Sequence, residues 1–248
     1  VDKSLAVAQA GGVGMIQVDN GTGLVAEVHS VPTVHVTAEQ GAVIRAYVRA
    51  NGSASASMTK FVIGTSAVKA PIMANFSSRG PNRYDANVLK PDMTAPGVDI
   101  IAGVSPELTL EQRDNLINGT LVPDVAFASY QGTSMSAPHV TGLSALLRQE
   151  HPTWTPAMVK SAMMTTATDT FPDALSGDIR GILPFAQGAG HINPNKAVDP
   201  GLVYDIAPAD YRKYMCGAGI ATQCADGQIA GYELNLPSIA VGNVLGAQ

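Results

Sequence analysis

The hydroxyl of Ser134, within GTSMSAPHVTG (residues 132–142), combines a nucleophilic atom with a place where a helix is predicted to begin. A serine at a helix N-terminus is in general a cap that satisfies orphan backbone N–H groups. Here Gly132 precedes it, and the small Ser136 and Ala137 follow it, leaving room for another backbone to approach. The free N–H groups and the positive end of the helix would stabilise an anion formed beside the serine oxygen. One turn of chain thus supplies a nucleophile and part of an oxyanion hole.

A serine hydroxyl attacks poorly without a base, normally a histidine oriented by a carboxylate. The five histidines are His29, His35, His139, His151 and His191. At about 100° per residue His139 falls roughly 140° around the helix from Ser134, so it is expected to be a packed, hydrogen-bonded residue. His151, in EHPTW, belongs to a loop at a helix C-terminus. His29 and His35 belong to the first region of the chain, where His35 alternates within a strand. His191, in GAGHINP, is assigned a structural role in a Gly-rich loop. None of the five has a context that recommends it as the base. Arg79, in SSRGP, is expected to fix a loop. Asp92, Asp99 and Asp205 do not cluster at metal-ligand spacing, so no metal and no cofactor is expected.

The elements that must position these residues fall in three regions. In the first, SLAVAQA reads as the end of a helix closed by Gly11 and Gly12, VGMIQV as a buried strand and PTVHVT as a second strand. AEQGAVIRAYVRAN has helical spacing and stops near Asn51. This is the pattern of a small α/β unit, and GSASAS after it reads as a boundary. In the second region DIIAGV is the apolar run that a covered parallel strand requires. Pro138 is tolerated only in a first turn, which places the helix from about Ser134 to about Glu150. A further helix starts at WTPAMVKSAMMTTAT, with Thr155 as N-cap, Pro156 at the first position and Trp154 stapled onto Val159. The third region, after about Asp205, is less regular, and YELNLPSIAVGNVLGAQ reads as the first strand of something unfinished.

The 248 residues, 46% hydrophobic and 14% charged, suffice for a sizeable core and argue against disorder. The net charge of −5 without a block of Lys or Arg recommends neither nucleic acid nor an anionic membrane as partner. No apolar run approaches the length of a transmembrane helix. The opening VDKSLAVAQAGG has no initiator Met, and the chain is expected to be cut from something longer. Cys216 and Cys224 make neither a zinc site nor a redox motif. Their nearness leaves open a local disulfide or two free thiols. N-x-[ST] sequons stand at Asn20, Asn51, Asn75 and Asn118, of which Asn75 is expected to be too buried for use.

GTSMSAPHVTG resembles the segment that carries the nucleophilic serine of the subtilisin-like serine proteases. NFSSRGPN (75–82), LKPDMTAPGVDIIAG (89–103), HPTWTPAMVKSAMMTTA (151–167) and GAGHINPNKAVDPGLVYD (188–205) resemble the plant-type, cucumisin-like branch. The resemblance covers nearly the whole chain. It implies an α/β fold: the C-terminal half of a subtilisin-like three-layer parallel-sheet domain, preceded by part of a protease-associated domain. The implied division is 1–55 for the end of the protease-associated insert, 56–205 for the catalytic half, and 206–248 for a linker and the start of a fibronectin-III-like domain. The implied activity is peptide-bond hydrolysis through an acyl-enzyme on Ser134, in a secreted endopeptidase acting on peptides or proteins. By the family's order the catalytic Asp, the catalytic His and the oxyanion-hole Asn precede Val1, so only Ser134 carries over as catalytic and the chain alone is expected to be inactive. Two other readings are a non-catalytic protein-binding module and a different serine hydrolase, such as an esterase, with its base inside this chain.

Overall fold

The computed structural model describes residues 2–20, 27–60, 62, 64, 69–104, 108–121, 126–173 and 182–242. They divide into two compact units, Val1–Thr65 with Gly97–Met135, and Ser66–Pro96 with Ser136–Gln248.

The first unit opens with α1 (Asp2–Gln9), which ends where Gly11 adopts φ +81. Strands β1 (Met15–Val18) and β2 (Thr33–Val36) pair in parallel, Met15 opposite Thr33 and Gln17 opposite His35. Helix α2 (Ala38–Ala50) follows, as its sequence predicts. Thr37 closes a capping box with Gln40 and so supplies two of the orphan groups of the first turn. Gly41 lies against Val18, where a Cβ would stand 2.2 Å from a Val18 methyl, so only glycine lets α2 seat on β1.

The same unit holds β3 (Ile100–Val104), α3 (Leu110–Ile117) and β4 (Ala126–Tyr130). The DIIAGV strand departs from expectation. It pairs antiparallel with β4, Ile100 opposite Tyr130 and Val104 opposite Ala126. An apolar run records that a strand is to be buried but not the direction of its partner. An antiparallel pair can also leave one face open, and here Ile101 and Phe127, 76% and 67% exposed, stand on that face. Helix α3 was not anticipated, although its Thr109–Gln112 capping box is a signal of the same kind as that of α2.

Helix α4 (Thr133–Glu150) starts in the first unit and runs into the second. It begins one residue before Ser134, and Pro138 lies inside it rather than in its first turn. The bond lost is the one Pro138 would have donated to the carbonyl of Ser134. Burial of Leu143 and Leu147 further along holds the helix despite that loss. In the second unit α5 (Pro156–Thr165) starts as predicted. Thr155 Oγ1 accepts from the Met158 N–H at 3.2 Å, and Pro156 occupies the first position. Leu143, Leu147, Val159, Ala162, Met163, Ile192 and Ala197 form the core, with Trp154 packed against it. Trp154 also stacks on the His151 ring at 3.8 Å.

Short helices α6 (Leu183–Gln187) and α7 (Pro194–Ala197) precede α8 (Pro208–Gly217), so the last region is more regular than its sequence suggests. Each of the three has proline at its start, where the missing N–H costs nothing. The expected strand in YELNLPSIAV is absent from residues 231–242, which form a 3-10 turn (Gly231–Glu233) and then irregular chain. Leu234 is instead buried with Ala157 and Ile206. Cys216 and Cys224 are bridged, with Cα atoms 5.7 Å apart. Cys216 lies in α8 and is buried, so only Cys224 is on a surface loop. Among the described residues no helix is long and apolar enough to cross a membrane.

Candidate active-site serine

Ser134 is the second residue of α4 and is exposed. Its N–H has no carbonyl four residues back within the helix, so it points out of the helix end as an available donor. The turn into the helix depends on Gly132, whose φ of +152 is one that side-chain-bearing residues rarely adopt. That turn is anchored on both sides. The Gly132 N–H donates to the Gly97 carbonyl at 2.8 Å, and the Met135 N–H donates to the Gly132 carbonyl at 2.9 Å. Within the second unit, Ser136 Oγ donates to the Ala95 carbonyl at 2.9 Å. The small residues flanking Ser134 therefore do two jobs, one shaping the turn and one tying the helix start to the PDMTAPG segment.

The partners of His29, His35, His151 and His191 fit structural roles. His29 Nε2 lies 2.8 Å from His35 Nε2. His151 Nε2 lies 2.7 Å from the Val198 carbonyl. His191 joins two segments through bridges to Thr94 and Thr168, and its Nδ1 lies 3.4 Å from Thr94 Oγ1. His139 is exposed rather than packed. It lines a cavity of about 440 Å³ with Pro96, Pro138, Leu143, Leu146 and His191. Its exposure is not something angular position alone reveals. Burial pushes the His191 imidazole below its ordinary range, and nearby His139 acts in the same direction.

Arg79 fixes a loop, as its context predicts. Its guanidinium donates to the Ala74 and Ser77 carbonyls and pairs with Asp173 at 3.0 Å, where the Asp173 side chain is only 2% exposed. Asp92 bridges Lys90 and Lys160, each at 2.6 Å. Burial alone would raise its pKa. Hydrogen bonds from Lys160 and Lys90, with their charges, outweigh this and hold the carboxyl below its ordinary range. The Asp92 carbonyl also receives the Ala189 N–H at 2.9 Å. Gly188 permits this approach: it has φ +62, and a Cβ there would stand 2.3 Å from the Pro91 carbonyl oxygen. Asn75, expected to be buried, is exposed, as are Asn20, Asn51 and Asn118. Arg79 pins this loop through backbone carbonyls.

The described residues thus form a mixed α/β chain with an exposed serine at a glycine-turned helix start. The subtilase family (peptidase S8) matches residues 28–190. The subtilisin-like protease SBT5.3 of Arabidopsis thaliana is 38% identical over 267 residues, covering 98% of this chain and 33% of that protein. SBT1.4 of the same plant is 43% identical over 235 residues, covering 88% of this chain and 29% of that protein. Fervidolysin from Fervidobacterium pennivorans, a keratinolytic enzyme related to subtilisin, is 29% identical, with a TM-score of 0.31 over 42% of this chain and 14% of its own. The chain belongs to the subtilase family and has its mixed α/β, subtilisin-like fold. It spans about a third of the length of the curated relatives it matches.

Proposed function

We propose that this chain carries the nucleophile of a secreted subtilisin-like serine endopeptidase, with Ser134 as the attacking residue. The observation that supports this best is the exposure of Ser134 at the start of α4, behind a glycine at positive φ. In this reading Ser134 Oγ adds to the carbonyl carbon of a peptide bond while its proton passes to a histidine base. The tetrahedral oxyanion is held by the Ser134 N–H and by a second donor. The proton is then delivered to the departing amine, and water releases the acyl group by the reverse sequence. The catalytic His and Asp and the oxyanion Asn come from segments N-terminal to this chain in the full-length protein. Residues 1–55 are the end of a protease-associated insert, 56–205 the second half of the catalytic domain, and 206–248 a linker leading into a fibronectin-III-like domain. The Cys216–Cys224 bridge and the exposed sequons suit an oxidising, secreted setting.

The test compares the 248-residue chain with the full-length protein, using a serine-reactive fluorophosphonate. The full-length protein should label at Ser134, and Ser134→Ala should abolish the label. The isolated chain should label at least 10²-fold more slowly, roughly the effect of losing a single oxyanion donor. Fast labelling of the isolated chain that depends on Ser134 would place a base within these residues and favour the esterase reading. A full-length protein that does not label would favour a non-catalytic binding module.

A further inference from the structure

The first unit contains a cluster that the serine chemistry does not use. His29, in the loop before β2, brings its Nε2 to 2.8 Å from Nε2 of His35 on β2. Glu27 completes the group, and one ligand-capable atom from each of the three lies within 4.8 Å of the others. The loop is held in place rather than merely near. The Ser30 N–H donates to Ser4 Oγ of α1 at 3.0 Å, and Ser4 is fully buried. Thr33 Oγ1 donates to the Val31 carbonyl at 2.9 Å.

We propose that Glu27, His29 and His35 form a binding site for a borderline divalent cation, Zn²⁺ in the first instance, which ties the residue 27–31 loop to β2. Two imidazoles and a carboxylate are the donor set such ions take up, with a water completing four-coordination. The geometry requires little movement. Two nitrogens each about 2.0–2.1 Å from a tetrahedral Zn²⁺ lie roughly 3.3 Å apart, so the two rings need to separate by only about half an ångström.

A bare histidine pair leaves His29 incompletely satisfied. In the pair, one ring must donate its Nε2 proton and the other must accept it. Whichever tautomer His29 takes, its Nδ1 is buried and without a hydrogen-bond partner. An ion held between the two Nε2 atoms would fix the His29 tautomer with its proton on Nδ1. The expectation of no metal rested on the aspartates, and it overlooked this grouping of a glutamate with two histidines.

The test is to titrate untagged, chelator-treated 248-residue chain with Zn²⁺ in competition with a chromophoric chelator. Binding of Co²⁺ is followed in parallel by its visible d–d absorption. One ion per chain is expected, with Mg²⁺ unable to compete. His35→Ala should weaken binding about 100-fold and remove the Co²⁺ bands, and Glu27→Gln should weaken it about 10-fold. Both expectations are scaled to the 10–100-fold cost of disturbing even an outer-shell partner. His151→Ala should leave the titration unchanged. Circular dichroism checks that each variant is folded, and exposed Glu27 provides a variant that spares the packing should His35→Ala fail to fold. No saturable Zn²⁺ binding, or binding unchanged in both Glu27→Gln and His35→Ala, would overturn the proposal.

Discussion

Asp92 shows how a single side chain can organise a segment. Its carboxylate accepts from Lys90 and Lys160 while its carbonyl receives the Ala189 N–H, so the chain before Pro96, α5 and the Gly188 turn meet at one residue. Because its pKa is lowered in the folded state, the stabilisation it provides is fully present above the ordinary aspartate value of 3.8. It is lost as the pH falls through the lowered folded value. Asp92→Asn should therefore cost about 1 kcal/mol at pH 7, the range of partly exposed ion pairs, since the substitution leaves Lys90 and Lys160 without their counter-charge. Urea unfolding of both proteins at pH 7 and again at strongly acid pH checks this: the difference should shrink towards zero in acid.

At the scale of elements, capping decides where helices begin. Thr155 caps α5 through the Met158 N–H and also donates to Asp205 Oδ1 at 2.5 Å, so the helix start and the residue 205 segment share one hydroxyl. Thr155→Ala should lower the free energy of unfolding by about 1–2 kcal/mol, the range for a lost N-cap. Thr155→Ser should recover most of it, because the hydroxyl is what matters. Denaturant titration of the three proteins measures both effects. The start of α4 follows a different rule. There the Gly132 turn and the Ser136–Ala95 hydrogen bond, rather than a capping side chain, bring Ser134 to the helix end. Ser134, inside the helix, lies past the cap position.

For the whole molecule, the Cys216–Cys224 bridge closes a loop with a sequence separation of 8. A loop this short restrains the unfolded chain by about 2–3 kcal/mol. Replacing both cysteines with serine should lower the melting temperature by several degrees, read by circular dichroism. The unreduced chain should react with no maleimide, and the reduced chain should take up two equivalents by mass spectrometry. Either free thiol in the unreduced protein would contradict the bridge, and with it one of the supports for secretion.

The short-range features were legible in the residues themselves: α1, β1, β2 and α2, the Thr155 cap, the placement of Ser134 and the family motif around it. Each depends on groups within a few positions of one another, and caps, turns and amphipathic spacing act over that range. The tertiary structure alone decided the antiparallel pairing of β3 with β4, the exposure of His139 and Asn75, and the pairing of Arg79 with Asp173 across 94 positions. It also decided the meeting of Glu27, His29 and His35. An apolar run records that a strand prefers burial, and a histidine records that it can donate, accept or ligate. Which partner each one meets depends on how distant segments pack, and that is a property of the folded chain rather than of any local stretch of it.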